Sequence, residues 1–333
     1  MTFVRIYVAA FASAFLTAFF TFSHWKKWCA RKGIMDDPGH RKIHDEPMPL
    51  AGGLTVLTAL VVPAILGLIV LWILHPNASP FPSYDADAGP RLAYGFHRRH
   101  IELVAIFLGA IGMLLVGLWD DKKESRPAAK FIAQFAVAAM VAASGARITL
   151  FVHNIWFSFA VTILWILTVI NAFNFMDNMN GLCAGLGAIG AFYFGLTAAT
   201  APVPQYLVAL IAFLTCGALI GFLPRNFPRA KSFLGDSGSH LVGYLLAVLA
   251  ILPHFYTSYN PHSLAVLTPL VILAVPLGDL VWVVIIRWRL GTPFYVGDTN
   301  HLSHRLVKLG LSRTQAVLVI WLLAIAFGAL AFA

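Results

Sequence analysis

Ten separate apolar runs, each about as long as a bilayer is thick, dominate this chain. They fall at 3–23, 52–74, 101–119, 128–145, 155–175, 181–199, 205–223, 237–255, 264–286 and 314–332. A helix needs about 20 apolar residues to cross the hydrocarbon layer. Backbone polar groups there must be satisfied within the segment, so each run is expected to be a helix. The fold class this predicts is all-α integral membrane, with about ten transmembrane helices in a single polytopic domain over residues 1–333. Composition supports the reading. Hydrophobic residues make up 59% of the chain and charged residues 11%, against roughly 25% charged in an ordinary soluble domain. A cytosolic globular enzyme, a disordered chain and a secreted disulfide scaffold are all excluded. Ten spans use about 200 residues and leave about 130, so an active site has to be built from helix ends and short loops.

Charge gives the orientation. Gaps 24–51, 120–130, 224–236 and 287–313 hold 18 of the 23 Lys and Arg residues, including all nine lysines. Arg5, Arg91, Arg98, Arg99 and Arg147 belong to the other side. The positive-inside rule then puts the first set in the cytoplasm and both termini outside. The basic pair Lys26-Lys27 follows the first apolar run, which reads as an uncleaved span and not as a signal peptide. Formal net charge is +9, which in such a chain speaks for anionic headgroups and topology before nucleic acid. The gap 76–100 reads as a solvated external loop, with Asn77-Ala78-Ser79 matching a glycosylation acceptor by type. Cys29, Cys183 and Cys216 are scattered and suggest neither a disulfide framework nor a metal site.

Carboxylates follow the same asymmetry. Asp36, Asp37, Asp45, Glu46, Asp120, Asp121, Glu124, Asp177, Asp236 and Asp298 fall at the expected cytoplasmic loops or helix ends. Asp85, Asp87 and Glu102 lie on the other side, and Asp279 falls inside the ninth run. Carboxylates near a span need a reason, and carboxylates mixed with lysines at one face suit a divalent cation and phosphate.

Four blocks carry this chemistry. Asp120-Asp121-Lys122-Lys123-Glu124 ends the third run, with Lys130 and Gln134 on one face of the next helix. A solvated capping turn and a snorkelling lysine are the plain alternatives. Asn171, Asn174, Asp177, Asn178 and Asn180 crowd the end of the fifth run, where helical spacing puts Asn171, Asn174 and Asn178 on one stripe. Phe233-Leu234-Gly235-Asp236-Ser237-Gly238 offers flexible backbone before a helix start, where Asp236 is either a metal ligand or a cap. His301-Leu302-Ser303-His304-Arg305 suits a pyrophosphate or sugar clamp better than zinc, for want of a third ligand at suitable spacing. Asp279 reads as structural.

In this order, from Asp37 to about Ala316, the blocks resemble the polyprenyl-phosphate N-acetylhexosamine-1-phosphate transferases of glycosyltransferase family 4. The first loop, Asp37-Pro38-Gly39-His40-Arg41-Lys42-Ile43-His44, is similar to the branch that uses UDP-N-acetylglucosamine. The sister branch, which transfers phospho-N-acetylmuramoyl-pentapeptide, carries three consecutive histidines that this chain lacks. The resemblance implies attack of an undecaprenyl or other polyprenyl phosphate on a UDP-sugar, with Mg²⁺ or Mn²⁺ and release of UMP. It implies a multi-pass enzyme of the cytoplasmic (inner) membrane that starts a lipid-linked cell-envelope glycan, and it is compatible with a homodimer. By matching position, Asp236 is the metal ligand with Asn174 as its partner. Asp120 and Asp121 are the aspartate pair at the lipid phosphate, and Lys130 binds phosphate. Phe233 stacks on uracil, Asp177 and Asn180 line the nucleoside pocket, and His301, His304 and Arg305 face pyrophosphate and sugar. Arg41, Lys42 and His44 are expected to bind substrate as well. Three positions depart from the family pattern: Asn180 replaces an aspartate, Ser303 a histidine, and Glu124 an aspartate. A secondary transporter is the rival class, but its polar groups would meet at the midplane, and here they gather at one face.

Overall fold

The structure is a computed structural model that describes residues 3–37, 46–74, 88–123, 125–253, 255, 263–293 and 298–332. Each apolar run becomes helix. The helices in chain order are α1 (Phe3–Lys32), α2 (Gly52–Leu74), α3 (Ala88–Arg98), α4 (His100–Lys123), α5 (Pro127–Ser144), α6 (Ile155–Met176), α7 (Leu182–Thr200), α8 (Tyr206–Phe222), α9 (Gly235–Ile251), α10 (Thr268–Ile272), α11 (Ala274–Arg289), α12 (Leu302–Lys308) and α13 (Arg313–Leu330), with α3 and α12 outside the apolar runs. Among the described residues, eight helices are long and apolar enough to cross a membrane. A ninth span forms if Leu264–Ile272 and Ala274–Arg289 count as one, bent by 76°. The remaining run folds as α9, which is apolar but has 17 residues. The chain is a multi-pass membrane protein. Its outer surface suits lipid, with Trp72, Trp156 and Trp288 among the most exposed apolar side chains near helix ends.

Local chemistry explains the helix limits. Pro127 opens α5, where its missing N–H costs nothing, and Gly145 closes it at φ 111°. Asn154 caps α6 by accepting the Phe157 N–H at 3.1 Å. Ser312 and Gln315 form a capping box at α13. The gap 76–100 departs from the expected open loop, because 88–98 is helical. Arg91 there donates to the Tyr206 hydroxyl at 2.9 Å, which ties α3 to the start of α8. Asn77, Ala78, Ser79, Asp85 and Asp87 lie outside the described residues.

Helix α9 is the central element. It packs between α4 and α6 and also touches α2 and α7. Nearly all of its residues from Ser237 to Ala250 are buried. Close approach at its start depends on glycines in the partners. A Cβ on Gly53 would lie 2.7 Å from the Ser237 carbonyl carbon, and one on Gly117 would overlap the Ser237 backbone.

A short antiparallel pair, β1 (Met35–Asp36) and β2 (Met48–Pro49), follows α1. Past it, the chain pairs with the segment that precedes α9. Phe233 N–H donates to Pro49 O at 3.1 Å, and Gly52 N–H donates to Phe233 O at 3.2 Å. Ser232 Oγ donates to Pro49 O and accepts the Ala51 N–H. The base of the first loop is thereby anchored beside Gly235 and Asp236.

Because backbone cannot rotate out of the way, Gly117→Ala is expected to destabilise the protein by about 1–3 kcal/mol. Thermal unfolding in detergent measures this. An unchanged midpoint would show that the α4–α9 contact is looser than described.

Candidate active site

The aspartate block at the end of α4 and the start of α9 form one unit. Asp121 accepts the backbone N–H of Asp236 at 2.8 Å and of Ser237 at 3.1 Å. Its carboxylate therefore caps α9 from another helix. Gly235 has φ +72°, and a Cβ there would lie 2.9 Å from Asp121 Oδ2, so the turn needs glycine for both conformation and space. Of the two readings of Asp236, the cap is overturned: the α9 donors go to Asp121. Its own carboxylate points elsewhere. Asp236 Oδ2 takes Lys130 Nζ at 2.8 Å, and Oδ1 takes Asn174 Nδ2 at 2.9 Å.

Lys130 also pairs with Asp120, so one ammonium bridges two carboxylates from different helices. It is not a snorkelling anchor. Asp120 Oδ1 accepts both the backbone N–H of Ser125 at 2.7 Å and its hydroxyl at 2.6 Å. Asn174 Nδ2 reaches Ser239 Oγ at 3.0 Å as well, so its amide orients Asp236 as a donor. Gln134, one turn along α5 from Lys130, accepts from Asn171 at 3.0 Å and lies 3.4 Å from His240 Nε2.

The polar stripe expected on α6 ends early. The helix stops at Met176, and Asp177 is its C-cap at φ −84°, ψ 42°. Asn178 leaves the stripe for this reason. Its Nδ2 donates to Phe175 O at 2.7 Å, and its Oδ1 accepts Ser303 Oγ at 2.7 Å. Gly181 then takes φ +75° under Phe227 and starts α7. Burial pushes the Asp177 carboxyl well above its usual range, and the carboxylates of Asp236 and Asp121 push the same way, while the Gly235 backbone opposes them.

Asp120, Asp121, Asp177, Asn180, Phe233 and Asp236 line one cleft of about 930 Å³. Asp36, Asp37, Lys122, Lys123 and Arg313 stand on its wall too. Asn180 Nδ2 donates to Pro228 O at 3.2 Å. Lys130 and Asn174 stand behind Asp236. The described wall does not include His301, His304 or Arg305. They lie beyond Asn178, joined to it through the buried Ser303. Burial, then the neighbouring His301, Arg313 and Lys308, hold the His304 imidazole below its usual range, against Asp279. At neutral pH it presents an uncharged ring and not a cation. Arg305 lays its guanidinium over Trp282, 4.8 Å from the ring centre. At Asp298 burial acts to raise the pKa, but Arg287 and the Asn300 N–H, both at 2.8 Å, hold its carboxyl below the usual range. Arg41, Lys42, His44 and Glu124 lie outside the described residues.

Sequence reasoning missed Asn226. It is buried on the cleft wall, accepts the Gly181 N–H at 2.8 Å and donates to Ser232 O at 3.0 Å. Its gap is marked by basic charge, and no spacing signal singles out one amide there. Among the described residues, no three His, Cys, Asp or Glu side chains are grouped to hold a metal ion.

The family model described as glycosyl transferase family 4 matches residues 103–254, which span α4 to α9. The "Probable undecaprenyl-phosphate N-acetylglucosaminyl 1-phosphate transferase" of Bacillus subtilis is 31% identical over 332 residues, covering 97% of this chain and 83% of that protein. The chain belongs to glycosyl transferase family 4. A decaprenyl-phosphate N-acetylglucosaminephosphotransferase of Mycobacterium tuberculosis is 30% identical, covering 95% of this chain and 80% of its own. An undecaprenyl-phosphate alpha-N-acetylglucosaminyl 1-phosphate transferase of Yersinia pestis is 27% identical, covering 96% and 80%. As a member of this family the chain is a phosphotransferase.

Asp121→Ala leaves the N–H groups of the half-buried Asp236 and the buried Ser237 without their acceptor, at an expected cost of about 1–3 kcal/mol. Asp121→Asn keeps one acceptor oxygen and should lose less. Comparing the thermal midpoints of the two variants decides it; equal midpoints would remove Asp121 from the role of cap.

Proposed function

We propose that the chain transfers N-acetylglucosamine 1-phosphate from a UDP-sugar to a polyprenyl phosphate at the cytoplasmic face of the cell membrane, releasing UMP. The observation that carries this reading is the Asp120–Lys130–Asp236–Asn174 set beside a cleft wide enough for a nucleotide sugar. The relatives' names supply the sugar and the lipid. All the groups lie at one end of the bundle, the end with the basic gaps, so the positive-inside rule favours ten spans with both termini outside.

The cleft holds more negative than positive charge, yet both substrates are anions. Six carboxylates, Asp36, Asp37, Asp120, Asp121, Asp177 and Asp236, line it against Lys122, Lys123 and Arg313, with Lys130 behind. A divalent cation resolves the mismatch, and oxygen donors are the right type for Mg²⁺ or Mn²⁺. Mg²⁺ keeps several waters and is commonly held by one or two carboxylates plus substrate phosphates. Asp236 would hold it, with the Asn174 side chain beside it. Bound there, the ion supplies charge neutralisation for the diphosphate.

The chain's own groups do the positioning. Lys130 holds Asp236 in place and offers positive charge to phosphate. Phe233 and Asn180 stand where a uracil ring can be stacked and hydrogen-bonded. Asp120 and Asp121 approach the lipid phosphate, which is already anionic and needs no strong base. Transfer then depends on alignment and electrostatics more than on covalent chemistry, and direct displacement is the economical route.

Purified protein with Mg²⁺, polyprenyl phosphate and UDP-N-acetylglucosamine should release UMP, and chelation by EDTA should stop it. Silence with every UDP-N-acetylhexosamine, alongside a working lipid acceptor, would end this reading. Asp236→Asn should fold normally and lose about 100-fold or more in kcat. Near-normal turnover would mean that the cation sits elsewhere.

A further inference from the structure

Asp279 lies on α11, in an otherwise apolar stretch, and a carboxylate there requires partners. It has two. Its Oδ2 lies 2.7 Å from His301 Nδ1, and its Oδ1 accepts the Leu302 backbone N–H at 2.6 Å. The Asp279 side chain is 1% exposed and that of His301 6%. One carboxylate thus ties down the start of α12 and decides which ring nitrogen of His301 carries hydrogen. An Nδ1–H facing the carboxylate leaves Nε2 as the nitrogen that can meet another group. The ring is confined on another side by Phe175, edge-on with centroids 5.5 Å apart. One turn along α11, Trp282 carries the Arg305 guanidinium. Asp279 and Trp282, three apart on α11, therefore hold His301 at the cap of α12 and Arg305 within it.

We propose that Asp279 is a positioning residue for the transfer reaction, acting through His301 by fixing its tautomer and ring orientation. The proposal rests on the transferase reading above. It assigns a role to a residue that stands apart from the cleft and from the Asp120–Lys130–Asp236 set. His301 stands off the described cleft wall; the transferase reading assigns it to the diphosphate, and Asp279 acts through it without touching substrate. Without the carboxylate the ring can turn and its hydrogen can exchange between nitrogens, so the fraction of enzyme in the productive arrangement falls.

Asp279→Asn separates this role from a scaffold role. It keeps an oxygen for the Leu302 N–H but presents an NH₂ group to His301 Nδ1, which drives the ring hydrogen to Nε2. We expect kcat to fall about tenfold or more with the KM for lipid phosphate little changed. The same substitution in a His301→Ala background should cause no further loss. Asp279→Glu, which retains the carboxylate, should recover part of the rate. Additive losses in the double variant, or full activity of Asp279→Asn, would overturn the proposal. Nitrogen-15 spectra of histidine-labelled protein give a readout that needs no turnover. The His301 signal, identified by its absence in His301→Ala, should report hydrogen on Nδ1 in the wild type and on Nε2 in Asp279→Asn. An unchanged tautomer overturns the proposal even if activity falls. If the wild type releases no UMP at all, the transferase reading fails, and the spectra still decide whether Asp279 sets the tautomer.

Discussion

A helix that begins inside a membrane protein brings unpaired N–H groups with it, and they must be met. Here α9 begins against α4, and the Asp121 carboxylate meets two of them. The remainder of the site depends on that bond pair. Because Asp121 serves as the cap, Asp236 keeps its own carboxylate for Lys130 and Asn174. Because the cap comes from a different helix, the bond also sets how α4 lies on α9, and glycines at positions 53 and 117 let the backbones meet. Fold and site share the same few atoms.

Lys130 extends the logic from hydrogen bonds to charge. Three acidic side chains, Asp120, Asp121 and Asp236, are drawn together by the helix packing, and close like charges oppose it. One ammonium between Asp120 and Asp236 offsets part of that repulsion. Burial, and then the carboxylates of Asp236 and Asp121, keep the Asp177 carboxyl above its usual range. Neutralisation within this group of carboxylates is therefore uneven.

Much of this was legible in the sequence. The apolar runs gave the helices, because a lipid surround makes hydrophobicity a near-direct statement of span position. The one-sided carboxylates and lysines gave the location of the cleft. Asp120, Asp121, Asp177, Asn180, Phe233 and Asp236 do share one wall. Partnerships across the bundle were less visible. Periodicity says which residues share a face of one helix, not which helix lies opposite, so Asp121 as the cap of α9 could not be read. The stripe through Asn178 failed for a local reason: the turn to Gly181 ends α6 two residues sooner. Ser303 stood out as a departure from a family pattern, and the structure gives it a buried bond to Asn178. Asp279 reads as structural and is indeed paired, but spacing could not name His301, which lies 22 residues further on past a loop.

The cleft wall runs from Gly33, just after α1, to Val317, in the first turns of α13. During synthesis at a membrane the helices arrive in order, and the acidic groups of α4 precede α9 by more than a hundred residues. Until Lys130 emerges, the carboxylate of Asp120 lacks its cation, and until α9 inserts, Asp121 has no helix to cap. The early chain therefore carries its charges near the water layer and can bury them fully only when later helices dock. A chain that has not yet received α13 lacks Arg313, Thr314 and Val317 of that wall, so the cleft takes its full shape only when the last helix docks.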